Sequence, residues 1–245
     1  MFRGLIAAAG LGTRLQDLSD KRNKVLLDLG GESILTTIFN NFETAGIADT
    51  VVVAGFDAQT VRMACGTRGT TLLNPFYEHS GILGSLWVAR EQFDGVPFVF
   101  TTGDHYFGLP YFQAFLADQP EADILVDVEL KVCDDEDMKV LLNRAGKLRT
   151  ITKSFLEGTV LGEFTSLVRF SAEGSKQFFS TLEKHVWQHG IQGYVADVLC
   201  AAHRKWELAF HLSNDHHRIE IDFPCDLTVA RTLYAQLRHA SRRAG

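Results

Sequence analysis

The chain has 245 residues, 46% of them hydrophobic and 22% charged, with a net charge of −6. That is enough for one large domain with its own core, or one domain with a small appended lobe. The acidic balance excludes the basic footprint of a nucleic-acid binder, and no apolar run reaches the length of a membrane span.

Cys65, Cys133, Cys200 and Cys225 share no metal-ligand spacing and read as reduced thiols of a cytoplasmic protein. Met1 to Gly10 is apolar but lacks the charged start and cleavage site of a signal peptide. The basic segment Arg238 to Arg243 is expected to be a solvated helix end.

Phe2 to Ala8 is a continuous apolar run ending in small residues, which predicts a buried parallel strand feeding a loop. Ser33 can cap a helix from Ile34 to Ala45, where Ile34, Leu35, Ile38, Phe39 and Phe42 follow helical spacing. Thr50 to Ala54 predicts a second buried strand, closed by Gly55. A helix near Ala58 to Cys65 and a short strand at Thr70 to Leu73 follow. Leu83 to Gln92 reads as a helix and Pro97 to Thr102 as a strand. Pro110 to Ala117 is a helix with proline at its start, and Ala122 to Leu130 is a strand. Lys139 to Asn143 and Leu148 to Thr152 flank the turn Arg144-Ala145-Gly146-Lys147 as a hairpin. Gly162 to Phe170 reads as a strand, Glu173 to Gln188 and Val195 to His203 as helices. Trp206 to His211 is a strand and Leu227 to Arg238 a closing helix.

Alternating strands and helices over the first 130 residues predict an α/β fold with a mostly parallel, doubly wound sheet. Its ligands then belong along one edge, beyond the strand ends. Residues 1–245 read as a single domain, with a small α+β substrate lobe inserted over roughly 131–190.

The first strand runs into Ala7-Ala8-Ala9-Gly10-Leu11-Gly12-Thr13-Arg14. Glycines there let backbone N–H groups approach phosphates, and Arg14 adds charge-assisted donors. No Gly-Lys-Ser/Thr follows, so this is not a P-loop, and the third glycine of the dinucleotide fingerprint is missing. Lys24 comes next, before Val25-Leu26-Leu27 and the Gly30-Gly31 turn. Asn74-Pro75-Phe76-Tyr77 precedes Gly81, Gly84 and Ser85-Leu86, where small residues allow close approach to a flat base and Ser85 can read its edge. Gly103-Asp104-His105 lies at a strand end, and a carboxylate there suits Mg²⁺. His105 reads as a packing or hydrogen-bonding residue rather than a ligand. In Glu220-Ile221-Asp222, strand alternation puts both carboxylates on one face. Asp226 reads as a helix cap or first-turn charge.

In this order the motifs resemble the nucleotidyltransferase superfamily with a GT-A-like, Rossmann-like fold. Within it they are similar to the branch that activates inositol 1-phosphate, choline phosphate or phosphonates with CTP. The resemblance covers nearly the whole chain, from Leu5 to the closing helix. Two departures are Asn23, where the family usually has proline, and a polar spacer over Gln16 to Arg22. No C-terminal hexapeptide repeat is present.

The resemblance implies Mg²⁺ as cofactor, held by Asp104 and Asp222. It implies that Arg14 and Lys24 grip the triphosphate and that Lys153 holds the acceptor's phosphate, with Lys139 nearby. Glu163 would orient an acceptor hydroxyl or amine, and Glu220 is placed with the acceptor. The nucleotide, with CTP favoured, is expected against Ala8, Ala9, Gly10, Gly12, Thr13, Gly55, Asn74, Gly84, Ser85 and Asp104. The implied reaction moves a nucleotidyl group to a small phosphorylated alcohol or phosphonate and releases pyrophosphate. Rival readings are a sugar-1-phosphate nucleotidyltransferase using UTP, dTTP or GTP and a non-catalytic nucleotide-binding paralogue. A glycosyltransferase is disfavoured, since Gly103-Asp104-His105 lacks a second aspartate. Oligomeric state is left open, with a homodimer compatible.

Overall fold

The computed structural model describes residues 1–15, 22–214 and 217–244, with side chains through residue 239. The polar spacer singled out in the sequence lies outside the described residues, apart from Arg22.

Strands β1 (Arg3–Ala8), β2 (Thr50–Ala54), β3 (Thr70–Leu73) and β4 (Phe98–Thr102) alternate with helices α1 (Ile34–Thr44), α2 (Ala58–Cys65) and α3 (Ile82–Phe93). After β4 come β5 (His105–Phe107), α4 (Leu109–Ala117) and β6 (Ile124–Glu129). The second half adds β7 (Lys139–Leu142), β8 (Leu148–Thr152), β9 (Thr159–Phe170), α5 (Ala172–His189) and α6 (Val195–His203). It ends with β10 (Leu208–Ser213), β11 (Arg218–Glu220) and α7 (Pro224–Ala244).

The main sheet has the order β10-β6-β9-β4-β1-β2-β3, with the β7–β8 hairpin attached through β9. β1, β2, β3 and β4 are parallel, as are β10 and β6, while β9 runs antiparallel between β4 and β6. The mostly parallel α/β sheet is as expected. The antiparallel β9 at its centre, and a second sheet in which β5 pairs antiparallel with β11, were not.

Both sheet faces are covered, and alternation within each strand divides the residues between two cores. Ile6, Val52 and Val99 pack with Phe39, Phe42, Phe112 and Tyr234 on one side. Leu5, Val51, Val53 and Phe100 pack with Leu86, Phe178 and Leu199 on the other. A strand buried on both faces has no polar register to keep, which is why these segments read as continuous apolar runs.

Most boundaries fall within two residues of expectation. Ser33 caps α1 by accepting the Thr36 N–H at 3.1 Å. The closing helix starts earlier than expected because Pro224 fits its first turn, and Asp226 accepts the N–H groups of Asp222 and Phe223 at 2.9 and 2.7 Å; it also runs on past Arg238 to Ala244. The β7–β8 hairpin turns at Gly146 (φ 73), with Asn143 accepting from the Ala145 and Lys147 N–H groups. No helix among the described residues is long and apolar enough to cross a membrane.

Candidate active site

A cleft of about 1220 Å³ opens at the C-terminal ends of β1 and β4, where an α/β sheet exposes loops rather than pleats. The loop after β1 forms one wall. Gly12 adopts φ 58, a conformation glycine takes without steric cost. A 3₁₀ turn over Thr13–Leu15 then carries Arg14 into the cleft, anchored by the buried Leu15.

Lys24 starts a second 3₁₀ turn, and the departure at Asn23 has a clear role there. Buried Asn23 donates from Nδ2 to the carbonyls of Ala8 and Phe56 at 2.8 and 2.9 Å, and its Oδ1 accepts the Val25 N–H at 3.1 Å. One side chain thus ties the lysine turn to the ends of β1 and β2, a job a proline could do only through backbone stiffness.

Residues far apart in the chain meet at the cleft floor. Lys24 Nζ lies 2.8 Å from Asp222 Oδ1 and 3.2 Å from Asp104 Oδ2, and Arg14 Nη1 lies 3.0 Å from Asp222 Oδ2. Ligand oxygens of Asp104, Glu220 and Asp222 all lie within 4.8 Å of one another. Three convergent carboxylates form a hard-oxygen donor set that fits a divalent cation such as Mg²⁺. Glu220, expected beside the acceptor, sits in this cluster. Strand alternation is not the cause, because β11 ends at Glu220 and Asp222 lies beyond it.

The electrostatics follow from burial and crowding. Burial opposes the Lys24 ammonium, but Asp104 and Asp222 outweigh it and raise its pKa. Burial likewise opposes the Asp104 carboxylate, while Lys24 and His105 bring its pKa well below the usual value. Glu220 is raised, by burial and by repulsion from Asp104 and Asp222. His105 is buried and hydrogen-bonds through Nδ1 to Thr102 Oγ1 at 2.7 Å and Asp104 Oδ1 at 3.1 Å. It orients a carboxylate, the hydrogen-bonding role read from the sequence.

The other end of the cleft lies under β9 and β6. Glu129 and Glu163 stand directly opposite each other across these strands, a pairing that repels unless a cation intervenes. Arg218 supplies it, donating to Glu129 Oε2 from Nε at 3.0 Å and to Glu163 Oε2 from Nη2. Lys131 reaches Glu163 at 3.3 Å and Asp137 at 3.0 Å. Glu136 lies 3.6 Å from Arg14 and 3.5 Å from Lys153, spanning the two cations.

Of the residues expected at the site, Ala8, Gly10, Gly12, Thr13, Arg14, Lys24, Asp104, Lys153, Glu163, Glu220 and Asp222 line this cleft. The others do not. Lys139, expected near the acceptor's phosphate, is fully buried outside the cleft lining. Its ammonium donates to the carbonyls of Asp137 and Lys153 at 3.0 and 2.7 Å, so it fixes the segment carrying Lys153. Asn74 and Ser85 are buried and bonded to each other at 3.4 Å, and Asn74 also holds Ser80 at 3.0 Å. A Cβ on Gly84 would meet Ser80 at 2.4 Å, and one on Gly55 would meet Tyr77 at 2.4 Å. Ala9 is buried behind the loop. These five shape the wall from behind.

Sequence reasoning missed Glu129, Lys131, Glu136, Ser166, Gln192 and Arg218, all of which line the cleft. No local pattern marks them, since each reaches the cleft through strand pairing or a loop.

Against known proteins, residues 4–154 match the family described as the MobA-like NTP transferase domain. A CMP-5'-(3-aminopropyl)phosphonate synthase of Streptomyces rubellomurinus is 26% identical over 98% of this chain, which spans 40% of that protein's length. A Bacillus anthracis protein assigned as a glucose-1-phosphate thymidylyltransferase shares the fold with a TM-score of 0.80 at 18% identity, over 95% of each chain. The inositol-1-phosphate CTP transferase of T. maritima does so with 0.79 at 19% identity, over 97% of this chain and 96% of that one.

Proposed function

This chain belongs to the MobA-like NTP transferase family, and from that premise we propose that it transfers a nucleotidyl group from CTP to a small phosphorylated alcohol or phosphonate, releasing pyrophosphate. One observation carries the reading. Arg14 and Lys24, from the front of the chain, meet Asp104 and two late carboxylates, Glu220 and Asp222, in one cleft. CTP and a phosphonate acceptor are supported by the synthase related to this chain over almost its full length.

In this reading Arg14 and Lys24 face the triphosphate and neutralise the departing pyrophosphate. Lys153 holds the acceptor's anionic group so that its oxygen attacks the α-phosphorus in line. Asp104, Glu220 and Asp222 would hold Mg²⁺, which supplies positive charge beside the reacting phosphate oxygens when bound. No protein nucleophile is needed, so catalysis rests on positioning and preorganised charge. The unpaired cysteines are in keeping with a reducing, cytoplasmic setting.

The test is to incubate the protein with Mg²⁺, each nucleoside triphosphate in turn and an acceptor panel, monitoring pyrophosphate. The panel holds 2-aminoethylphosphonate, phosphocholine, inositol 1-phosphate and glucose 1-phosphate. CTP consumption with one of the first three is expected. Preference for UTP, dTTP or GTP with glucose 1-phosphate would replace this reading with the sugar-phosphate one. Nucleotide binding without pyrophosphate release would leave a non-catalytic paralogue. Chelation of Mg²⁺ is expected to abolish turnover, and full turnover in chelator would remove the metal from the scheme.

A further inference from the structure

β9 carries an irregularity that nucleotide binding does not require. On β6 a single residue, Asp127, separates Val126 from Val128. Their partners on β9, Val168 and Phe164, are separated by three residues, Thr165, Ser166 and Leu167. The two additional residues bulge out of the ladder, and Ser166 makes the turn at φ 61. A residue with a Cβ occupies this left-handed region at a cost that glycine avoids, and such strain persists where the surroundings impose it.

The surroundings here are specific. Asp127 is fully buried, and its Oδ2 accepts from Thr165 Oγ1 and from the Tyr111 hydroxyl, both at 2.5 Å. Tyr111 is bonded in turn to Ser213 Oγ at 2.9 Å. A buried carboxylate ringed by hydroxyls has no part in moving a nucleotidyl group. It grips the residue next to Ser166 and fixes where the bulge projects. Ser166 lines the cleft, and its hydroxyl has no hydrogen-bond partner among the described residues. Sheet order places it away from the nucleotide loop, since β4 lies between β9 and β1. Its neighbours at that end, Glu129, Glu163 and Arg218, are already bonded to one another.

We propose that Ser166 is a binding residue for the acceptor, with its hydroxyl held by the strained bulge to exchange a hydrogen bond with the phosphate- or phosphonate-bearing molecule. The proposal rests on the nucleotidyl-transfer reading and adds a residue to the acceptor half of the site. Glycine would satisfy the backbone better, so what serine adds at this position is its side chain.

The experiment uses the full chain with Mg²⁺, CTP and whichever acceptor of the panel wild type consumes. Ser166→Gly, Ser166→Ala and Ser166→Asn are compared by thermal unfolding and steady-state kinetics. Ser166→Gly is expected to raise Tm by about 2–4 °C through relief of strain, with Ser166→Ala giving no such gain. Both should raise KM for the acceptor roughly 3- to 10-fold, as loss of a neutral hydrogen bond does, with KM for CTP unchanged. Ser166→Asn, which tolerates the left-handed conformation and keeps a polar group, should fall between them and wild type. An unchanged acceptor KM in the glycine and alanine variants would overturn the proposal, as would a CTP KM rising in step. A glycine variant no more stable than wild type would remove its premise. Wild type inactive with every acceptor would sink the functional reading as well, whereas active wild type with indifferent variants sinks the proposal alone.

Discussion

Lys24 holds a tightly constrained charge in the cleft. Its side chain is 14% exposed and contacts two carboxylates, which offset the cost of burying an ammonium. Lys24→Ala should therefore do two things. Turnover is expected to fall roughly a hundredfold or more, the usual cost of losing a charge stabiliser, and single-turnover kinetics would check it. Asp104 and Asp222 would also lose the cation they share, leaving Arg14 on Asp222 and His105 on Asp104, so the variant's Tm should depend more steeply on added Mg²⁺ than that of wild type. Thermal unfolding across a Mg²⁺ titration reads this directly, and parallel curves would argue against a shared cation site. At Asn23 the issue is structural. Asn23→Ala removes the side chain's buried hydrogen bonds and strands the carbonyls of Ala8 and Phe56, so a loss of about 1–3 kcal/mol is expected in urea denaturation.

At the scale of elements, the glycine loop depends on what packs behind it. Gly55 closes β2, and a Cβ there would lie 2.8 Å from the carbonyl oxygen of Ala9 as well as against Tyr77. Backbone cannot yield as a flexible side chain can. Gly55→Ala is thus expected to cost about 1–3 kcal/mol and to weaken nucleotide binding, because relief must come from moving the loop that carries Gly10 to Arg14. Denaturation and CTP calorimetry together test this, and lost stability with unchanged CTP affinity would uncouple Gly55 from the loop. Gly55 was expected against the nucleotide, and the structure places it outside the lining of the cleft, packed on Ala9 and Tyr77.

On the scale of the whole molecule, the buried Asp127 cluster links α4, β6, β9 and β10 beneath the end of the cleft formed by β9 and β6. Burial raises the Asp127 pKa, opposed by hydrogen bonds from Thr165 and Tyr111. A carboxyl whose folded pKa exceeds its unfolded value, about 3.9, holds its proton more tightly when folded. The stability it contributes is complete below that unfolded value and is lost as pH rises through the folded one. Asp127→Asn does not titrate, so its Tm relative to wild type should become more favourable as pH increases above about 4. Calorimetry at several pH values would show it, and a pH-independent difference would mean that Asp127 titrates alike in both states.

Local sequence determined the frame of this protein. Apolar runs too continuous for a half-exposed strand announced a sheet buried on both faces, and Ser33, Pro110 and Gly146 punctuated it through capping and turn chemistry that acts over a few residues. The same short range drew attention to Arg14 and Asp104, while the ordered motifs' resemblance to a known family marked Lys24 and Asp222. Tertiary structure alone decided what those charges do together. Only folding brings Glu220 to Asp104, sets Arg218 between Glu129 and Glu163, buries Lys139 against two carbonyls and bends β9 at Ser166. Those outcomes depend on strand pairing between residues tens to hundreds of positions apart, and on the desolvation that pairing imposes, neither of which leaves a periodic trace in the chain.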